Sequence, residues 1–314
     1  MTALDTRPDP ATEGRIKAVP LPRPGRWIAA TVIAVLLALF VYGAATNDAY
    51  QWSTYWTYLF DQRISQAALV TIELTVISMA IGLVAGAASA VMRLSDNPVL
   101  AGVAWLYIWV FRGTPVYVQL VFWGLLTSIY RQIDLGIPFM VQFVHLDTES
   151  WLTPFAAAVI GLGLNQGAYT AEIIRAGVTS VDAGQREAAI ALGMSGSLTT
   201  RRIIFPQAMR VIIPPFGNEF IGMLKTTSLV VAVPFMGDLY TQSVHISAVL
   251  YRPIPLLLVA STWYLAITTV LMVGQHYLEK RFSRGAAGRA ATRPKELTPV
   301  ATQGRSDLPM EDGR

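Results

Sequence analysis

The stretch TSVDAGQREAAIALGMSGSLTTRRIIFPQAMRVIIPP, residues 179–215, is charged and helix-prone, is broken by glycines and ends in prolines. Long apolar segments flank it on both sides. A polar segment of this length between membrane spans is uncommon unless it has a function, because ordering it costs conformational entropy. We therefore interpret residues 179–215 as a docking surface of a membrane protein.

Composition supports the membrane assignment. Of the 314 residues, 53% are hydrophobic and 14% are charged, whereas about 25% of the residues of a soluble domain are charged. The apolar residues form runs of membrane-spanning length that contain glycine and proline without strict alternation, which favours helices over barrel strands. The sequence thus predicts an all-α fold, a polytopic membrane helical bundle.

Composition also excludes several kinds of site. There is no cysteine, so disulfides and thiolate metal sites are excluded, and we predict no metal site. The net charge is +4, but the basic residues are scattered along loops and tails without interleaved aromatic residues. This distribution argues against nucleic-acid binding.

Six spans are predicted, and Arg112-Gly113-Thr114-Pro115 interrupts the third. Their approximate bounds are 27–45, 67–92, 99–129, 152–174, 216–239 and 253–277. The aromatic segment 46–66 suits an interfacial helix, and residues 131–150 suit a polar loop. The tails, residues 1–26 and 285–314, lack an apolar period and are predicted to be disordered. The first run also resembles a signal peptide, but its polar lead is long for that role.

The distribution of arginine and lysine sets the predicted orientation. Most of these residues fall before the first span, after the last, or in and beside 179–215, all on one side of a six-span arrangement. The positive-inside rule therefore predicts that both termini and the stretch 179–215 are cytoplasmic. A full turn of the chain at 112–115 would change the span count, and the charge bias argues against it.

Inside 179–215 the residue types predict a helix, a tight turn and a second helix. Asp182 is the expected N-cap, and Gly193 is placed to end the first helix with a positive φ. The small side chains Ala188, Ala189 and Ala191 would let a partner groove approach closely, with Arg186 and Glu187 at its rim. A solvated helical loop is the alternative interpretation.

The spacing of this stretch carries a resemblance. Glu187-Ala188-Ala189 is followed after three residues by Gly193, and after nine more by Ile203 and Phe205-Pro206. This resembles the EAA loop of binding-protein-dependent ABC importer permeases, with Phe205 in place of the usual Leu. GQREAAIALG, FPQAMRVIIPPFGNEF and LKTTSLV are similar to the polar amino acid subgroup, the histidine/glutamine-permease-like proteins. The similarity covers about residues 65–284, so the span 27–45 would be an added helix.

The resemblance implies a bacterial plasma-membrane importer subunit that translocates a polar amino acid. A coupling helix in the loop would sit in a groove of a cytoplasmic ATPase dimer, a second permease would complete the pathway, and an extracytoplasmic binding protein would deliver the substrate. The chain has no G-x-x-x-x-G-K-[ST] motif, so ATP and Mg²⁺ would bind to the partner, and the chain is predicted not to be an enzyme. The residues predicted to couple to the ATPase are Arg186, Glu187, Ala188, Ala189, Leu192, Gly193, Ile203, Phe205 and Pro206.

Polar residues at membrane depth are the candidates for a substrate pathway, since burying them in lipid is costly. The ionisable residues among them either pair with residues on other helices or line the path. The same two interpretations apply to Glu73. The predicted pathway residues are Asn165, Gln166, Tyr169, Glu172, Asn218, Glu219 and Lys225. The role of Arg112 stays open, and Gly82 and Gly86 form a G-x-x-x-G pair suited to close helix packing.

Two other classes of function are weaker. An ion-gradient-driven secondary transporter would show internal repeats and matched broken helices, and no convincing repeat is present. A membrane-bound enzyme would need a dense cluster of histidines or carboxylates, and the three histidines are scattered. The sequence leaves open which amino acid is carried and whether the permease pairs with itself or with a similar chain.

Overall fold

The computed structural model describes residues 24–137 and 141–283. Most of the predicted N-terminal tail and all of the predicted C-terminal tail lie outside these residues. The helices are α1 (Pro24–Thr46), α2 (Trp52–Leu59), α3 (Gln62–Arg93), α4 (Pro98–Gly113), α5 (Val116–Ile129), α6 (Thr148–Trp151), α7 (Pro154–Thr179), α8 (Ala183–Ala191), α9 (Gly196–Thr199), α10 (Phe205–Thr226), α11 (Leu239–Leu250) and α12 (Pro253–Ser283). A π-helical turn (Thr200–Ile204) joins α9 to α10, and short 3-10 helices cover Asp48–Tyr50 and Thr227–Ala232.

The helical membrane bundle is confirmed. Among the described residues, α1, α3 and α12 are long and apolar enough to cross a membrane, and α4 with α5 makes a fourth if the bent pair is one span. Helices α7 and α10 have 26 and 22 residues. They carry all seven predicted pathway residues and are not among the helices that meet this criterion. The count of six spans therefore stays a prediction.

The centre of the bundle is the contact between α3 and α7. Gly82 and Gly86 on α3 face Gly163 and Gly167 on α7. A Cβ atom on Gly86 would lie 2.8 Å from the carbonyl oxygen of Gly167 and 2.6 Å from Cβ of Thr170. The two backbones thus approach as closely as glycine allows, which confirms the packing role predicted for the G-x-x-x-G pair.

The interruption in the third predicted span is a sharp bend. Helices α4 and α5 meet at 104° across Thr114 and Pro115. The ring of Pro115 disfavours helical backbone at the preceding residue, and Thr114 is extended, with φ −113° and ψ 145°. The Nε2 atom of Gln119 donates to the carbonyl oxygens of Phe111 (2.9 Å) and Thr114 (3.1 Å). The side chain thus satisfies carbonyls that the bend leaves without helical partners.

The predicted fifth span, 216–239, is wrong in its bounds. Helix α10 begins at Phe205 and ends at Thr226, and the chain reaches α11 through the 3-10 helix and a non-helical segment, residues 233–238. The prolines predicted to close the polar stretch lie inside α10. Pro206 is the second residue of α10, directly after the π-helical turn, and Pro214 and Pro215 lie within the packed helix.

The segment 131–150, predicted to be a polar loop, forms a β-hairpin, and the aromatic segment 46–66 contains the predicted helix. Within 131–150, β1 (Gln132–Ile137) pairs antiparallel with β2 (Val141–Asp147). Buried Thr148 donates its hydroxyl to the carbonyl oxygen of Arg131 at 2.8 Å, which closes the base of this hairpin. The helix predicted in the aromatic segment is present as α2. Trp263 on α12 donates from Nε1 to the carbonyl oxygen of Leu59 at 2.8 Å and anchors α2 to α12.

The close contact between α3 and α7 predicts a strong effect of one methyl group. We expect Gly86→Ala to lower the free energy of unfolding by about 1–3 kcal/mol, because the added Cβ overlaps the backbone of α7. Gly102→Ala on α4 is the matched control, since nothing lies within 4 Å of its Cβ position. Thermal unfolding of the detergent-solubilised protein should separate the two variants, and equal unfolding midpoints would contradict the packing interpretation.

Candidate functional site

The polar stretch 179–215 folds as predicted at its first turn. The Oδ1 atom of Asp182 accepts a hydrogen bond of 2.7 Å from the Gly184 amide and caps α8. At the C-terminal end of α8, the amide of Gly193 donates to the carbonyl oxygen of Ile190 (2.9 Å), and the amide of Met194 donates to the carbonyl oxygen of Ala189 (3.0 Å). Gly193 has φ +76°. This is a Schellman motif, and it fixes the direction in which the chain leaves α8.

The exposed face of this loop is more apolar than the sequence predicts. Leu192 is 82% exposed, Ile190 59% and Phe205 52%. Arg186, Glu187 and Ala188 are also exposed, whereas Ala189 is buried, because α8 packs on α9 and the π-helical turn. Ala189 therefore packs inside the loop and not on its exposed face, where the sequence pattern predicts it.

The second half of the loop also differs from the prediction. The expected regular helix through Arg201 and Arg202 is a π-helical turn that continues directly into α10. Ile204 is buried, and a Cβ atom on Gly177 of α7 would overlap Cγ1 of Ile212 on α10. The loop is thus joined without an intervening coil to a helix that packs tightly on α7.

A cavity of about 410 Å³ lies beside the bend between α4 and α5. The bend contributes residues 112–116 to its wall, α7 contributes Asn165, Gln166 and Tyr169, and α10 contributes Glu219 and Thr226. The cavity therefore brings together four of the seven predicted pathway residues. Its volume falls in the range typical of small-molecule sites, about 300–1,000 Å³.

The polar side chains of this cavity have different tasks. Asn165 donates from Nδ2 to the carbonyl oxygen of Phe111 (3.0 Å) and to Oε1 of Gln119 (3.1 Å), so its amide holds the bend. Gln166 donates from Nε2 to Oε2 of Glu219 at 3.2 Å. Gln166 is 4% exposed and orients the carboxylate, which leaves Glu219 as the acidic group of the cavity.

Arg112 is the basic group of the same cavity. Its guanidinium carbon lies 5.2 Å from the centre of the Tyr169 ring, within cation–π range. Glu219 and Arg112 therefore give one cavity a negative and a positive group. The motif Arg112-Gly113-Thr114-Pro115 stood out in the sequence because it breaks a span, and that break is what places Arg112 here.

A second cleft, of about 590 Å³, adjoins the first at Arg112 and Tyr169. It is lined by Arg93, Glu172 and Arg175, with Trp105 and Trp109 on α4. Glu172 accepts from Nη2 of Arg175 at 2.8 Å, so this carboxylate is paired within its own helix. Glu172 thus belongs to the second cleft and does not share the cavity of Glu219.

Two predicted pathway residues lie elsewhere. Asn218 accepts through Oδ1 from Nε2 of Gln275 on α12 at 2.8 Å and lines neither cavity. Lys225 lines a separate cavity of about 430 Å³ with Tyr240 and Tyr264. Lys225 points away from Glu219, because the directions of residues six apart on a helix differ by about 120°.

Comparison with known proteins places these features in a family. Residues 78–284 match the family described as binding-protein-dependent transport system inner membrane component. The chain is 59% identical over 272 residues to the arginine transport system permease protein ArgU of Corynebacterium glutamicum, covering 86% of this chain and 84% of that one. It is 34% identical to the glutamine transport system permease protein GlnP of Escherichia coli K12, covering 74% and 97% of the two chains.

A solved structure agrees in fold. The chain superposes with a TM-score of 0.58 on a crystal structure of an amino acid ABC transporter with histidines, at 35% identity, covering 70% of this chain and 94% of that one. The residues that match the family include the loop 179–215, the bend and both cavities, and they exclude α1. The chain therefore belongs to the family of binding-protein-dependent transport system inner membrane components, which are permease subunits of ABC importers and not enzymes.

Proposed function

We propose that this permease subunit carries a cationic amino acid, arginine first among them, through the cavity at the bend between α4 and α5. The observation that carries the proposal is the placement of Glu219 and Arg112 in one cavity. A zwitterion needs an acceptor for its ammonium and a donor for its carboxylate. The name of the 59% identical relative, an arginine transport permease, points to the same substrate.

The exposed face of the loop is the proposed contact with the ATPase. Ile190, Leu192 and Phe205 form an apolar surface beside Arg186 and Glu187, and an exposed apolar patch with a charged rim suits a protein interface. ATP and Mg²⁺ bind to that partner. Gly193 sets the angle of α8, so it fixes how the apolar side chains are presented.

One helix connects the proposed contact to the proposed pathway. Helix α10 contains both Phe205 and Glu219, which are 14 residues apart and hence about 21 Å apart along the axis. A rigid helix that moves at one end moves at the other, so displacement of the loop displaces the carboxylate in the cavity. This supports alternating access driven by closure of the ATPase dimer.

The remaining components follow from the family and the charge distribution. An extracytoplasmic binding protein delivers the substrate, and a second permease, the same chain or a similar one, completes the pathway. The chain resides in the bacterial plasma membrane with both termini in the cytoplasm, as the excess of arginine and lysine on one side indicates.

Transport driven by ATP is the direct test. Proteoliposomes that contain the permease and its ATPase, with the binding protein outside, should take up radiolabelled arginine only when ATP is enclosed. The competing mechanism, secondary transport, predicts uptake that persists without ATP and requires a sodium or proton gradient. That result would overturn the proposed function.

The loop geometry predicts a separate loss of coupling. Gly193→Val should abolish most ATP-driven uptake, because a β-branched residue is strained at φ +76° and the direction of α8 changes. Gly196→Ala in α9 is the matched control, since Gly196 has open space at its Cβ position. Uptake and the yield of ATPase copurified with each variant should be measured, and full activity of Gly193→Val would count against the docking role.

The cavity predicts that the charge of Glu219 matters. Glu219→Gln should lower arginine uptake by about tenfold, since a charged hydrogen-bond partner for the substrate is neutralised. Glu279→Gln on α12 makes the same chemical change at a carboxylate that lines none of the three cavities described above, and it should leave uptake unchanged. Uptake rates are compared at equal amounts of assembled transporter, and equal rates for both variants would exclude Glu219 from the pathway.

A further inference from the structure

The second cleft, of about 590 Å³, carries an excess of positive charge. The guanidinium groups of Arg93, Arg112 and Arg175 line it, and Glu172 is the one carboxylate among its lining residues. Glu172 pairs with Arg175 at 2.8 Å. In the part of the chain that the structure describes, Arg93 and Arg112 form no ion pair. The cleft therefore suits an anionic group from outside the chain, which guanidinium groups bind through charge-assisted hydrogen bonds.

The cleft lies at one end of the helical bundle. The glycine contacts between α3 and α7 follow the same order along both helices, Gly82 with Gly163 and Gly86 with Gly167. The two helices thus run in the same direction, and their C-terminal ends lie on the same side. Arg93 is the last residue of α3, and Arg175 lies four residues before the end of α7. Helix α7 leads into the loop 179–215, so the cleft opens on the side proposed to be cytoplasmic.

Helix α4 gives the cleft an aromatic edge beside an apolar outer face. The rings of Trp105 and Trp109 stack with their centroids 5.9 Å apart, and both side chains are more than half exposed. Val99, Val103 and Leu106 are also exposed, and their spacing of four and three residues places them on one face of α4. Exposed tryptophan is enriched where lipid headgroups meet acyl chains. These features suit an amphiphile with an anionic head better than a free anion.

We propose that the second cleft binds the phosphate group of an anionic phospholipid, with Arg93 as its main contact and the acyl chains along the exposed face of α4. Basic pockets between transmembrane helices on the cytoplasmic side bind anionic headgroups. This ligand goes beyond the proposed transport function, because it is distinct from the transported substrate. The substrate cavity offers the carboxylate of Glu219 to an ammonium group, whereas the carboxylate in the second cleft is paired with Arg175.

Lipid selectivity of the permease purified with its ATPase is the first test. Dioctanoyl phosphatidylglycerol and dioctanoyl phosphatidylcholine share their acyl chains and differ in net charge, and native mass spectrometry counts the bound lipid. Arg93→Gln should weaken binding of phosphatidylglycerol by about fivefold, the contribution of one arginine near a membrane surface. Arg210→Gln is the matched control. Arg210 is exposed on α10 and lines none of the three cavities described above, so this variant should bind as the wild type does.

Three results would overturn the lipid site. Equal affinity of the wild type for the two lipids would show that the charge of the headgroup is not recognised. An equal loss in Arg93→Gln and Arg210→Gln would show that only the total charge matters. Displacement of phosphatidylglycerol by equal concentrations of inorganic phosphate or of glycerophosphoglycerol, the headgroup without acyl chains, would show that the cleft takes a free anion.

Tryptophan quenching gives a readout that needs no arginine variant. The assembled transporter is placed in phosphatidylcholine nanodiscs with about one lipid per permease brominated on its acyl chains. Brominated phosphatidylglycerol should quench the fluorescence more than brominated phosphatidylcholine does, and the double variant Trp105→Phe, Trp109→Phe should remove that difference. Equal quenching by the two brominated lipids in the wild type would contradict the site. Both tests are done without ATP or arginine, so their failure is distinct from failure of the proposed transport function.

Discussion

The structure depends on how the backbone groups freed by the bend at Thr114 and Pro115 are satisfied. No water competes for such groups inside a membrane, so each carbonyl without a helical partner must find another donor. Gln119 and Asn165 supply donors to the carbonyl oxygen of Phe111, and Gln119 also donates to that of Thr114. These side-chain hydrogen bonds allow a 104° bend between α4 and α5. The bend in turn opens the cavity and brings Arg112 to its wall.

The close packing of the helices around this cavity connects it to the loop 179–215. Glycine contacts hold α3 against α7, and Ile212 packs against the backbone of α7 at Gly177. Helix α10 is therefore held against α7, and it contains both Phe205 in the loop and Glu219 in the cavity. The π-helical turn at its start is also the end of the loop, so no flexible linker separates the proposed ATPase contact from the cavity of Glu219.

Local sequence patterns predicted the features that depend on a single turn of chain. The roles of Asp182 and Gly193 follow from capping chemistry, which involves hydrogen bonds between residues close in sequence. The bounds of α10 were predicted wrongly because they depend on contacts with other helices. Proline ends an isolated helix, but inside a packed bundle neighbouring helices and side chains compensate for the lost hydrogen bond, and Pro214 and Pro215 lie within α10. Likewise, the burial of Ala189 is set by the packing of α8 on the rest of the loop.

The sequence by itself determined that this is a helical membrane protein with a capped helical loop at residues 179–215, because span length, capping residues and the spacing of Glu187, Gly193 and Pro206 are properties of contiguous residues. Only the tertiary structure decided which polar residues share a cavity. Asn165 became a support of the bend, Glu172 an internal ion pair, and Glu219 the acidic group that shares a cavity with Arg112. Such roles depend on the rotation and crossing of separate helices, and a side chain's partner on another helix is not encoded by its position within its own.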